Sequence, residues 1–138
     1  VARGHNTIAP LVRDLRRAGV RVSLFIEADP VQIAAAEAVE AQVVELHTGA
    51  WCEAVHAGSG EAERLFERLA AGAEEAARRG LEVHAGHGLD YATAKRVAGL
   101  PQVVELNIGH FLIGEAVFVG LEAAIRNMRS AMDEARGS

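Results

Sequence analysis

Two stretches of this sequence set groups able to move protons and hold anions directly behind short apolar runs. The first is Val83-His-Ala-Gly-His-Gly-Leu-Asp90, in which His87 lies between Gly86 and Gly88. Imidazole titrates near neutrality, so His87 can give and recover protons through successive eliminations, and flanking glycines allow close approach to a ligand. The second is Glu105-Leu-Asn-Ile-Gly-His-Phe-Leu-Ile-Gly114. There Gly109 and His110 open toward a helix, whose first backbone N–H groups suit a phosphate. A third group is Glu45, two residues before His47 in an apolar run. A carboxylate inside a fold is costly to bury unless it is paired or used. Each residue also has a plain structural reading: His87 bonded to a neighbouring carbonyl, Glu45 paired with Arg21 or a histidine, and Gly109-His110 as a tight strand-to-helix turn.

These groups need elements to position them, and strand and helix signals alternate along the chain. Strands are expected at Val20–Ile26, Gln42–His47, Leu81–Ala85 and Val103–Ile108. A leading helix around Leu11–Leu15 stops at Gly19. Asp29 caps the next helix, with Pro30 at its first position and Gln32 at the capping-box position. The spacing predicts a long helix over Ser59–Arg79, capped by Ser59, with Leu65, Phe66, Leu69, Ala73 and Ala77 as its buried stripe. Asp90 caps a helix to Val97 that Gly99 and Pro101 end, and a last helix presents Leu121, Ile125, Met128 and Met132. Gly49–Gly60 reads as one long, turn-rich loop.

Four successive βα units imply parallel strands in an α/β fold. Strand parity separates the two main architectures. Val44 and Leu46 share one face while Val43, Glu45 and His47 share the other; Val22, Leu24 and Ile26 oppose Arg21, Ser23, Phe25 and Glu27; Val104, Leu106 and Ile108 oppose Val103, Glu105 and Asn107. A doubly wound sheet covers both faces with helices and favours continuously apolar strands. One aliphatic face and one polar inner face suit a (β/α)8 barrel instead. Such a barrel takes about 250 residues. The 138 residues here, starting at Val1 without methionine, supply only about half of that, so the chain is expected either to pair with another copy or to be a piece of a longer protein.

Composition narrows the function classes. Half the residues are hydrophobic, enough for a packed core, and the net charge is −5. No segment is strongly basic, which argues against nucleic acid or an anionic membrane as partner. The single Cys52 excludes an internal disulfide and cysteine-rich zinc patterns and fits a cytoplasmic location. His47 and His84 lack the spacing of a zinc-binding helix, and no metal is expected. His5 and His56 read as surface residues, while His47, Thr48, His84, Glu105 and Asn107 line or brace the interior.

The blocks Val22-Ser-Leu-Phe-Ile-Glu-Ala-Asp29, Val44-Glu-Leu-His-Thr-Gly49, Ala85-Gly-His-Gly-Leu89 and Glu105-Leu-Asn-Ile-Gly-His110 with Ile113-Gly-Glu-Ala-Val117 give the chain its clearest resemblance. In order and spacing it resembles the pyridoxine 5′-phosphate synthase family of vitamin B6 biosynthesis. The match covers nearly all of the chain and corresponds to the C-terminal half of that family's barrel. The resemblance implies a transferase that condenses 3-amino-2-oxopropyl phosphate with 1-deoxy-D-xylulose 5-phosphate, giving pyridoxine 5′-phosphate, phosphate and water. It implies no metal or organic cofactor, and assembly as a homo-oligomer. By the same resemblance His87 is the proton donor, Glu45 stabilises a transition state, and Gly88, Gly109 and His110 bind substrate.

The family's first four strands carry further catalytic residues and have no counterpart here, so residues 1–138 alone are expected to be inactive. With both sheet edges open they are also expected to self-associate. Two other readings remain at this point: a non-catalytic half-barrel that binds phosphate or self-associates, and a barrel enzyme acting on another sugar phosphate. Upstream coding sequence with four more βα units would remove the first.

Overall fold

The computed structural model describes residues 1–137. Four strands, β1 (Ser23–Ile26), β2 (Val43–His47), β3 (Glu82–Gly86) and β4 (Val103–Asn107), form one parallel sheet in sequential order. A doubly wound sheet reverses its strand order at a switch point, whereas barrel units follow one another around the wall. The order here is that of successive barrel units.

Among the described residues seven α-helices accompany the strands: α1 (His5–Arg17), α2 (Pro30–Ala38), α3 (Gly49–His56), α4 (Ala62–Arg78), α5 (Tyr91–Ala98), α6 (His110–Val119) and α7 (Leu121–Arg136). Two caps follow the sequence signals. Asp29 accepts hydrogen bonds from the backbone N–H of Val31 and Gln32, and Asp90 forms a full capping box with Thr93. Gln32 does not complete a box with Asp29; its Oε1 accepts from the backbone nitrogens of Val1 and Ala2, 2.9 and 3.3 Å away.

Parity predicted the covered face of the sheet. Ile26, Val44, Leu46, Val83 and Ala85 are buried in one cluster with Ile33, Leu69, Ala73, Ala76, Ala94, Val97 and Met128 from the helices. Fully burying one such large aliphatic side chain stabilises the fold by roughly 1.5–3 kcal/mol. The other face stays open: Phe25, Glu105 and Asn107 are exposed, and Glu45, His47 and Glu82 are half-buried.

Several expectations need correction. The stretch read as a long loop holds α3, whose Trp51 and Cys52 pack into the core. Loop-like composition was outweighed by the apolar surface that one helical turn buries there. The long helix starts at Ala62 rather than at Ser59, whose Oγ instead accepts from Glu61 N–H in the preceding turn. Its stripe runs through Gly72 and Ala76, while Ala77 is exposed. In α7, Ala124 and Met128 are the buried contacts, and Leu121 and Ile125 are about half exposed. Val103 does not face inward. A register shift between β3 and β4 at Val83/His84 turns it into the helix-side cluster and leaves Val104 64% exposed. Strand parity holds only while the ladder is regular.

Candidate active site

The inner face of the sheet is built in layers fixed by register. Ser23, Val43 and Glu82 lie abreast at one end; Phe25, Glu45, His84 and Glu105 form the middle row; His47, Gly86 and Asn107 form the row at the strands' C-terminal ends. Ligands of parallel α/β folds sit beyond that last row.

At that end lies a cleft of about 630 Å³. Its walls are His56, His87, Gly88, Leu89, Asp90, Asn107, Ile108, Gly109, His110 and Phe111. The four residues His87, Gly88, Gly109 and His110, read from two separate motifs, thus meet in one place. Volumes of 300–1,000 Å³ are usual for small-ligand pockets.

His87 is held in an uncommon backbone conformation, with φ of +80°. Left-handed φ is strained for a residue with a Cβ and persists where the surroundings enforce it. Thr48 supplies the enforcement. Fully buried at the end of β2, its Oγ1 lies 2.6 Å from the His87 carbonyl and 2.8 Å from the Gly86 carbonyl, and its N–H donates to Gly86 O at 2.9 Å. The backbone is clamped while the imidazole stays exposed toward the cleft.

The glycines act differently from the expectation that they admit a ligand. A Cβ at Gly86 would collide with Glu45 Oε1 and lie 2.8 Å from the Asn107 carbonyl. At Gly88, with φ of +83°, it would press on Cys52 Cβ at 3.2 Å. Both therefore admit neighbouring protein. Gly109 has negative φ, and a Cβ there would meet nothing within 4 Å. That position borders open cleft at the start of α6, where free N–H groups and the helix dipole favour an anion.

Glu45 does not line the cleft; it stands one row below, its carboxylate against Gly86. The partners foreseen for it bind elsewhere. Arg21 pairs with Glu82 at 2.5 Å, and His84 faces Glu82 at 2.8 Å and Glu105 at 3.2 Å. Among the described residues Glu45 has no ion-pair partner. Arg21, followed by His84, holds the Glu82 carboxyl down to about 2.

His56 is exposed, as its sequence reading as a surface residue expects, and it also forms part of the cleft wall, 2.8 Å from Asp90. Burial pushes the Asp90 carboxyl up, but hydrogen bonds from Thr93 and His56 outweigh this and leave it below the usual value. Burial raises the Cys52 thiol, which disfavours its thiolate. His56 carried no recognisable signal because it sits in the stretch read as loop; only the helical turn of α3 aims it at Asp90. Among the described residues no three His, Cys, Asp or Glu side chains are grouped to hold a metal ion. No helix among them is long and apolar enough to cross a membrane.

A histidine open to the cleft, a carboxylate one row below it and a helix start beside it are the groups the chain brings to this end of the sheet. The family described as Pyridoxal phosphate biosynthesis protein PdxJ matches residues 1–134. Proteins named pyridoxine 5′-phosphate synthase are similar along nearly the whole chain. That of Xanthobacter autotrophicus is 64% identical over 132 residues, 95% of this chain and 51% of its own length. The Caulobacter sp. protein is 61% identical over 137 residues, 99% of this chain and 55% of its own. The Bradyrhizobium diazoefficiens protein is 57% identical over 133 residues, 96% and 53% of the two chains. The chain spans about half the length of the curated relatives it matches. It belongs to the PdxJ family of pyridoxal phosphate biosynthesis proteins.

Proposed function

We propose that residues 1–138 form the C-terminal half of a single (β/α)8-barrel domain, and that the full-length protein is a pyridoxine 5′-phosphate synthase. The reaction is the condensation of 3-amino-2-oxopropyl phosphate with 1-deoxy-D-xylulose 5-phosphate to pyridoxine 5′-phosphate, inorganic phosphate and water. The observation that carries this reading is the convergence of His87, Gly88, Gly109 and His110 on one cleft at the strands' C-terminal ends.

The amine of one substrate attacks the ketone of the other and loses water to form a Schiff base. Loss of phosphate and ring closure then require protons to be delivered and withdrawn at neighbouring atoms. His87, clamped by Thr48 and open to the cleft, donates protons to the departing groups. The start of α6 at Gly109 and His110 holds a substrate phosphate, with Gly88 beside it. Glu45 supplies negative charge near the cationic iminium, one row below the cleft. No cofactor takes part. The protein works in the cytoplasm as a homo-oligomer.

The half-barrel reading has direct structural support. β1 and β4 each pair on one side only, leaving both sheet edges open for the strands of the other half. The test is product formation from the two substrates. We expect the full-length protein to make pyridoxine 5′-phosphate and the isolated 138-residue chain to make none. An inactive full-length protein that still binds inorganic phosphate would leave only a phosphate-binding role. Turnover by the isolated chain would overturn the half-barrel reading.

A further inference from the structure

His87 is not alone at the sheet's end. The His47 ring packs against it, with centroids 4.9 Å apart, and Phe25 meets His47 edge-on at 5.1 Å. His47 Nδ1 lies 2.8 Å from Glu27 Oε1, a carboxylate just beyond β1. Gly49 opens the space that the two imidazoles share. A Cβ there would lie 2.8 Å from His47 Nε2 and 2.9 Å from His87 Cδ2. His47 Nε2 is thus turned toward His87. Two other ionisable groups near His87 are engaged elsewhere: His56 bonds Asp90, and Cys52 Sγ approaches the His87 carbonyl rather than its ring; His110 lies across the cleft on α6.

We propose that Glu27 and His47 are positioning residues for His87. This rests on the synthase reading above and goes beyond it. The Glu27 carboxylate can only accept, so it fixes His47 as the Nδ1–H tautomer and leaves its Nε2 lone pair on the side of His87. The oriented ring, backed by Phe25, then holds the His87 imidazole in one direction over the cleft. The order carboxylate, histidine, acting group is the one by which an outer carboxylate sets a ring's tautomer and aim in many sites. His47 packs on the His87 ring rather than on the walls of the cleft, so its part is to aim that ring.

The test combines spectra with kinetics on the full-length protein. Nitrogen-15 spectra of labelled histidine should show His47 as the Nδ1–H form. In Glu27→Gln, whose amide can donate, the Nε2–H form should appear. We expect that variant to lose about 10- to 100-fold in kcat with KM changed less than about two-fold, and Glu27→Asp to recover most of the loss. His47→Phe keeps the ring packing and removes the nitrogens, and should lose kcat to a similar extent. Wild-type kcat in Glu27→Gln, or an Nε2–H form of His47 in the unmodified protein, would overturn the proposal. Should the unmodified protein form no product, the synthase reading falls. The pair is then decided by the His47 tautomer and by whether Glu27→Gln alters the contact between the His47 and His87 rings.

Discussion

Two parts of the sheet's inner face carry polar side chains, and they treat them in opposite ways. In the lower part, Arg21, Glu82, His84 and Glu105 form a chain in which each charged or ring group has a partner. In the upper part, His87 sits at positive φ with its ring open to the cleft, and beneath it Glu45, though abreast of His84, has no ion-pair partner among the described residues. Both parts hold a histidine and a carboxylate, but His84 and Glu45 are set by strand alternation whereas His87 lies just past the end of β3. What differs is whether hydrogen-bonding capacity is consumed inside the protein. A satisfied network braces the strands, whereas hydrogen-bonding capacity left unspent, as on the His87 ring above its strained backbone, can serve a ligand.

The largest test of this contrast is His87→Asn. Asparagine tolerates the left-handed conformation, so the loop should keep its shape while proton transfer is lost. A positioned acid–base group contributes about 10²–10⁴-fold in rate, and we expect kcat of the full-length protein to fall by that order with phosphate affinity little changed. Turnover at the unmodified rate would move His87 to the structural side of the comparison.

Glycine substitutions sharpen it further. At Gly86 the added methyl collides with Glu45 and the Asn107 carbonyl, and overpacking of this kind costs about 1–3 kcal/mol. Gly109→Ala meets nothing and needs no change of φ, so its effect on stability should stay within about 0.5 kcal/mol. Urea unfolding of both variants reads the difference. Equal stability losses would show that the space at the start of α6 is not open.

The smallest effect belongs to the lower network. Its Glu82 carboxyl is depressed from an ordinary value of 4.5 to about 2, so the folded state holds its proton less tightly than the unfolded chain does. The stabilisation is therefore fully present above pH 4.5 and is lost as the pH falls through about 2. Melting temperatures of the unmodified protein and of Glu82→Gln should differ by a constant amount above that window and converge within it. A difference that grows on acidification would contradict the assigned role of Arg21.

Much of this organisation could be read from residue order. Asp29 and Asp90 announced their helices because a short carboxylate satisfies free N–H groups only at a helix start. Val44 and Leu46 marked the covered face because strand side chains alternate and helices need an apolar surface to rest on. The segments with His87 and Gly109-His110 stand out as polar and small residues right after an apolar strand, but a turn explains each as well, and only the family resemblance gives them roles.

Other features became visible only when segments met in three dimensions. Whether Gly49–Gly60 would coil or wind into α3 turned on burying Trp51 and Cys52 against partners distant in sequence. The inward or outward aim of Val103 turned on a register shift at Val83/His84, which a single strand's pattern cannot contain. Likewise the pairing of Arg21 with Glu82 instead of Glu45, and the packing of His47 between Glu27 and His87, depend on which side chains adjacent strands place abreast. Local sequence determined the elements and the kinds of group at their ends, because capping and alternation act over a few residues. Which group is paired and which stays free was decided by the tertiary structure, because partner choice is a contest among side chains brought together only by the folded sheet.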